Sequence, residues 1–156
     1  MSASHPRKIL AAVDGSERTN RVVDYLLSLA KKDKSIKVVV LNVQNEPEKW
    51  RLRGYESFKK DEIIDRLTRD VGGPIVRGVG RRLGRAGIAH DLRVEIGEPV
   101  ETIIRCAAEE GCDLIVVGDP RPGVVRRWLT QTAGITLGSV AGKVVQLARK
   151  PIVVAR

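Results

Sequence analysis

Two short stretches of the chain carry residue types that can hold a phosphate group. An apolar run over residues 113–118 ends at Gly118, and Gly138-Ser139 stands where a helical pattern begins. Glycine lets backbone N–H groups approach a phosphate closely, and a helix N-terminus adds a partial positive charge. The Ser139 hydroxyl is one more donor. The two stretches therefore indicate an anion site, and a plain helix N-cap at Ser139 is the alternative.

An acidic residue, Asp14, follows the first apolar run of the chain, within "ILAAVDGSE". A carboxylate repels a phosphate, so we do not expect Asp14 to bind one. It can accept hydrogen bonds from the ribose or adenine end of a nucleotide. The alternative is that Asp14 caps the first helix or belongs to a turn.

The segment 120–137, between the two glycine stretches, contains three arginines that could contact or block a phosphate site. Arg121 lies between two prolines, and its guanidinium can either bind phosphate oxygens or fill the phosphate pocket. The residues that follow predict a short amphipathic helix with Arg126 and Arg127 on it. This helix would form a lid over the site, cover an edge of the core or make a dimer contact.

Most of the positive charge lies in the same part of the chain. The net charge is +9, and residues 120–156 hold seven basic residues and no acidic ones, which leaves 21 basic against 19 acidic residues elsewhere. Such a surface attracts anions, although it can also serve solubility alone. Aromatic residues make up only 3% of the chain, so base stacking is poorly supported and nucleic-acid binding is not expected.

Other function classes find little support. The glycines at 118 and 123 have P-loop spacing but lack the Lys-Ser/Thr pair that follows it, and His5 and His90 are isolated. No metal site is predicted, and we expect no enzyme beyond a weak ATPase. No apolar run approaches the ~20 residues of a membrane span. The start of the chain has no signal-peptide pattern, so a cytoplasmic location is expected.

Strand and helix patterns alternate along the whole chain. Helical patterns over 16–32, about 63–83, 99 to about 107 and 139–149 separate the strands. Four strands are apolar, at 8–14, 36–43, 113–118 and 151–155, and the one at 90–97 alternates polar and apolar residues. Gly72-Gly73-Pro74 predicts a break or kink in the second helix. The alternation indicates an α/β protein, a Rossmann-like, doubly wound parallel sheet of five strands in the order 3-2-1-4-5, with helices on both faces.

The strand order by itself indicates where a ligand would bind. The strand order reverses between the first and fourth strands, and ligands of doubly wound sheets bind beyond the carboxyl ends of strands at such a point. The loop at Asp14-Gly15-Ser16 and the stretch that starts at Gly118 meet there. The sequence therefore predicts the site at the crevice between these two strand ends.

Three blocks resemble the universal stress protein family: "ILAAVDGSE", "VEIGEPVETIIRCAAEEGCDLIVVG" and "LGSVAGKVVQLARKPIVVAR". The resemblance covers residues 7–156 and is weakest over 45–88. Together with the length of 156 residues, it implies one domain over 1–156, and a flexible stretch is expected at 1–6. It also implies a homodimer formed through the C-terminal strand at 151–155, and ATP binding as in many members of the family.

The ATP-binding members carry the motif Gly-x2-Gly-x9-Gly-Ser/Thr. Gly118 and Gly138-Ser139 match it, but Arg121 stands in place of the second glycine, and sixteen residues rather than nine separate it from Gly138. Asp14 and Val43 match the positions where the family holds adenine and ribose. The nucleotide-contacting residues that the resemblance implies are Asp14, Val43, Val117, Gly118, Arg121, Gly138, Ser139 and Val140.

Two functions follow from these observations. One is a dimeric, cytoplasmic stress-response protein that binds ATP or a related adenine nucleotide, with Mg²⁺, at the crevice. The other is an interaction protein without a nucleotide, whose pocket is closed by Arg121 and the segment 120–137.

Overall fold

The computed structural model describes residues 8–47, 57–119, 144 and 150–156. The strands are β1 (Lys8–Ala12), β2 (Lys37–Gln44), β3 (Ala89–Ile96), β4 (Leu114–Gly118) and β5 (Ile152–Ala155). The α-helices are α1 (Glu17–Lys32), α2 (Ser57–Arg66), α3 (Gly73–Arg85) and α4 (Pro99–Glu109), and a π-helical turn (Leu67–Gly72) joins α2 to α3.

All five strands form one parallel sheet in the order β3-β2-β1-β4-β5. In the central register Ala11 of β1 lies between Val40 of β2 and Val116 of β4. The strand order changes direction between β1 and β4, so the predicted doubly wound topology is confirmed.

Helices cover both faces of this sheet. Alternate side chains of the strands point to opposite faces, so Ile9 and Ala11 join one hydrophobic core and Leu10 joins the other. Residues of α1 and α3 complete the first core. Residues of α4 and the fully buried, helical Val144 complete the second. Burial on both faces explains why the central strands read as continuous apolar runs.

The local signals at two helix starts are confirmed. Ser16 is the N-cap of α1, and its side chain accepts a hydrogen bond from the Arg18 backbone N–H. Glu98 is the N-cap of α4, and Pro99 occupies the first helical position, where its missing N–H costs nothing.

The predicted break or kink at Gly72-Gly73-Pro74 takes the form of a π-helical turn that ends at Gly72, and the backbone stays helical through these residues. Pro74 has no N–H, and in an α-helix its ring would collide with the carbonyl of the residue four positions earlier. The π-helical turn widens the backbone just before the proline, and the Gly73 N–H donates to the Thr68 carbonyl five positions back. The wider turn accommodates the proline without leaving the helix.

The remaining differences are small. Predicted strand bounds differ from the observed ones by a residue or two, for example 36–43 against Lys37–Gln44 for β2. The predicted flexible stretch at 1–6 and the segment 120–137 lie outside the described residues, as does the predicted last helix apart from Val144. Within the described ranges, no helix is long and apolar enough to span a membrane.

Candidate functional site

The loop that follows β1 is fixed by a small network of hydrogen bonds. The backbone N–H groups of Asp14 and Gly15 both donate to the Thr19 hydroxyl oxygen at 3.0 Å, and Thr19 is buried in the first turns of α1. Gly15 has a φ of +81°, which a residue with a side chain rarely adopts. The loop is therefore held in one conformation against the start of α1.

The Asp14 carboxylate accepts hydrogen bonds on both oxygens. Its Oδ1 receives the Ser16 N–H at 2.9 Å, the Ser16 hydroxyl at 2.5 Å and the Thr19 hydroxyl at 3.2 Å. Its Oδ2 receives Nε of Arg18 at 2.9 Å and lies 2.8 Å from Nη2 of the same guanidinium. A carboxylate offers about four lone-pair positions, so five donors fill it.

These contacts also determine the charge of Asp14. Burial raises the pKa of the Asp14 carboxyl, but the hydrogen bonds from Ser16 and the hydrogen bond and charge of Arg18 together outweigh burial and lower it. Asp14 is therefore ionised at neutral pH. It keeps 45% of its side-chain surface exposed, so its outer edge remains open to solvent.

Gly118, at the end of β4, lies directly against the first turn of α1. A Cβ atom at this position would stand 2.8 Å from Cβ and 2.9 Å from the carbonyl oxygen of Arg18, closer than real Cβ contacts. Glycine is therefore required here for the helix to pack on the strand. The close approach gives Gly118 a structural role that does not depend on any phosphate.

The residue after Gly118 is held from both sides. The Asp119 backbone N–H donates to the Ala155 carbonyl at 2.9 Å, and the Asp119 carbonyl accepts from Nη1 of Arg21 at 2.7 Å. Nε of Arg156 lies 3.5 Å from Oδ2 of Asp119, a side chain that is only 5% exposed. Together with Arg18, these contacts bring three arginines to the carboxyl end of β4.

Two other predicted site residues belong to the core beneath the crevice. Val117 is buried, and Val43, near the end of β2, packs against the same hydrophobic cluster while remaining partly exposed. Both side chains point to the sheet face that α4 and Val144 cover. Val43 can present apolar surface to a flat ring at the strand ends, whereas Val117 belongs to the core, and neither side chain offers a polar contact.

Asn42 was not singled out from the sequence, although it is a polar residue inside the apolar run "IKVVVLNV". It is 2% exposed, and its Nδ2 donates to the Val13 carbonyl at 2.8 Å. Its Oδ1 accepts from Nε2 of Gln44 at 2.6 Å. The hydrogen bond from Asn42 to Val13 ties β2 to the residue before Asp14, so Asn42 positions the loop.

Four predicted site residues, Arg121, Gly138, Ser139 and Val140, lie outside the described residues. The structure thus brings Asp14 and Gly118 together through Arg18, and sets Val43 and Val117 in the adjoining core.

One surface groove in the described part of the chain lies away from this crevice. A surface groove of about 340 Å³ is lined by residues of α2 and the π-helical turn, and none of the predicted site residues borders it. Among the described residues, no group of three or more His, Cys, Asp or Glu side chains is arranged to hold a metal ion.

A sequence model of the universal stress protein family matches residues 5–156, almost the full length. The chain belongs to the universal stress protein family. Its relatives include universal stress protein YxiE of Bacillus subtilis, which is 29% identical over 96% of this chain and 98% of its own length.

Solved structures of the family share the fold. MJ0577 of Methanocaldococcus jannaschii superposes with a TM-score of 0.71 at 26% identity, covering 96% of this chain and 94% of its own. A universal stress protein family protein from Arabidopsis thaliana, solved with AMP bound, has a TM-score of 0.65 at 17% identity, covering 96% and 90%. At that identity the likeness of the plant protein concerns the fold alone.

Proposed function

We propose that this universal stress protein binds an adenine nucleotide, ATP or a close relative, at the crevice between β1 and β4. The observation that carries the proposal is the ordered loop from Asp14 to Ser16 beside Gly118, at the point where the strand order reverses. The AMP-bound plant protein is an example of this fold holding an adenine nucleotide. We further propose that the chain acts as a single domain in the cytoplasm.

In this proposal the two ends of the ligand meet different chemistry. Asp14 is ionised, so it suits the hydroxyl donors of a ribose rather than a phosphate. Val43 provides apolar surface for the adenine ring, above the core that contains Val117. The phosphates, with or without Mg²⁺, lie toward Gly118 and the sequence positions of Gly138, Ser139 and Val140, and Arg121 provides a cation for them.

The test is a calorimetric titration of protein that has been freed of co-purified nucleotide. We expect saturable binding of ATP, and we expect Gly138→Asp to abolish it because a carboxylate would stand where phosphate belongs. Gly78→Asp on α3 is the matched control, since a Cβ there meets only the far end of the Arg81 side chain at 3.9 Å. Absence of ATP binding to the unmodified protein contradicts the proposal.

The homodimer is a second part of the proposal. β5 lies at one edge of the sheet, and Ile152, Val153 and Val154 are only partly buried, which leaves an apolar edge available for a second copy. Analytical ultracentrifugation should give twice the 17.1 kDa of one chain. A mass of one chain at micromolar concentration would contradict this part and leave nucleotide binding unaffected.

One observation favours a different function. The acceptor positions of Asp14 are already filled by the protein's own donors, as expected of a loop that has no ligand. An interaction protein whose pocket is closed by Arg121 and the segment 120–137 would show this arrangement permanently. Replacing Arg121 by glycine separates the two functions. If Arg121 closes the pocket, the unmodified protein does not bind ATP and the variant gains this binding. If the protein is a nucleotide-binding one, the unmodified protein already binds ATP.

A further inference from the structure

Arg18 connects the two sides of the crevice. Its guanidinium contacts Oδ2 of Asp14 through Nε and Nη2 at 2.9 and 2.8 Å, while its Cβ and its carbonyl lie against Gly118. The same residue thus touches the loop proposed to hold the ribose and the strand end proposed to lie near the phosphates.

The other donors to Asp14 are part of the helix start and cannot be given up easily. Ser16 is the N-cap of α1, and Thr19 fixes the backbone N–H groups of Asp14 and Gly15. Arg18 differs from both, because its side chain is 42% exposed and its ion pair with Asp14 is a surface pair of the weakly stabilising kind. The contact with Arg18 is therefore the replaceable one.

A neighbouring arginine on the same helix is engaged differently. Arg21 donates from Nη1 to the Asp119 carbonyl at 2.7 Å, a bond to the backbone beyond β4 that a ribose at Asp14 would not disturb. A ligand that binds Asp14 would therefore disturb the contact of the Arg18 guanidinium with Asp14, while the hydrogen bond from Arg21 to Asp119 stays in place.

We propose that Arg18 makes the site selective for phosphorylated ligands by exchanging its partner, from Asp14 in the unliganded protein to a phosphate in the complex. A ribose hydroxyl that bonds to Oδ2 of Asp14 competes with the guanidinium, because Nε and Nη2 of Arg18 already occupy both lone pairs of this oxygen. In a nucleotide complex, the phosphate becomes the new partner of the displaced Arg18 guanidinium. A nucleoside has no phosphate to offer Arg18, so its binding costs the Arg18–Asp14 ion pair without a new ion pair in return.

This inference rests on the proposed nucleotide binding, and it makes a separate prediction. Removing the Arg18 side chain frees Oδ2 of Asp14 for a hydroxyl and deletes a phosphate contact. Adenosine should therefore bind about 1.5- to 5-fold more tightly to Arg18→Ala than to the unmodified protein. ATP should bind about tenfold more weakly, as expected for the loss of a charge-assisted hydrogen bond.

The experiment is a calorimetric titration of the full chain with adenosine, AMP and ATP, at one ionic strength. The measured quantity is the ratio of ATP affinity to adenosine affinity. Arg82→Ala is the matched control, because Arg82 is also an arginine in a surface ion pair, with Asp24 at 3.4 Å, and it belongs to α3. Arg18→Lys keeps the charge and should retain part of the ratio.

We expect the ratio to fall at least tenfold in Arg18→Ala and to stay unchanged in Arg82→Ala. If the unmodified protein binds ATP and the ratio is the same in Arg18→Ala, the partner exchange is wrong while the proposed function stands. If the unmodified protein binds neither ATP nor adenosine, both are overturned. Alanine is the best helix former, so Arg18→Ala should fold, and its thermal unfolding provides the check.

Discussion

Replacing Gly118 by alanine tests whether close packing of α1 on β4 shapes the crevice. The added Cβ would stand 2.8 Å from Cβ and 2.9 Å from the carbonyl oxygen of Arg18, and 3.2 Å from its carbonyl carbon. Two of these three atoms belong to the backbone, so no side-chain rotation can relieve the contact. The start of α1 has to move away from the strand, and the Asp14 loop, which is bonded to Thr19, moves with it.

The expected loss of stability follows from two opposing effects. Overpacking of a well-packed site costs about 1–3 kcal/mol. Alanine also restricts the unfolded chain more than glycine does, and this effect stabilises the folded protein by about 0.4–1 kcal/mol. We expect a net loss of about 1–2 kcal/mol, which for a chain of this size lowers Tm by roughly 2–8 °C.

Urea and thermal unfolding followed by circular dichroism measure the effect, and ATP affinity is measured well below Tm. Gly78→Ala is the matched control, since its Cβ meets only the Arg81 guanidinium at 3.9 Å on α3. That substitution should stabilise the protein by about 0.5–1 kcal/mol through helix propensity. Gly118→Ala protein as stable as the unmodified chain, with unchanged ATP affinity, would refute the packing argument.

Three further substitutions or treatments test other parts of the structure. Asn42→Ala removes the buried donor to the Val13 carbonyl, so urea unfolding should show a loss of about 1–3 kcal/mol, and an unchanged midpoint would contradict the positioning role. Burial raises the pKa of the Cys112 thiol to about 11, so iodoacetamide at pH 8 should label Cys112 far more slowly in native than in urea-unfolded protein, and faster as pH rises. Equal labelling rates in the two states would count against a buried thiol. Arg93 pairs with three glutamates and its side chain is 23% exposed, so Arg93→Ala should lose about 1–2 kcal/mol at pH 7. Arg105→Ala, which removes one exposed pair, should be the milder change at the same pH, and equal losses for the two variants would contradict this.

The fold could be predicted because burial on both faces leaves a clear trace in the sequence. The runs that became β1, β2 and β4 are apolar over most of their length, and helical periodicity separates them. Parallel strands joined by right-handed crossovers permit few arrangements, so the order of the strands followed. The form of the irregularity at Pro74 could not be predicted, because a proline can end a helix or be accommodated by a wider turn, and the outcome depends on packing.

The site was only partly visible in the sequence. Topology placed Asp14 and Gly118 at the same strand ends, and the structure connects them through Arg18. The four-residue spacing of Asp14 and Arg18 was a signal that the pair could meet on a helix start. That Gly118 is required by a helix packed against it could not be seen, because this contact joins residues one hundred positions apart.

Nuclear magnetic resonance of uniformly ¹⁵N-labelled protein titrated with ATP tests nucleotide binding at the crevice most directly. We predict saturable amide shifts that concentrate on the loop from Asp14 to Thr19, on Val43 and on Gly118 and Asp119. The amides of α2 and of the π-helical turn should stay unmoved. Shifts that gather on that surface groove, or no shifts at millimolar ATP, would contradict the proposed site.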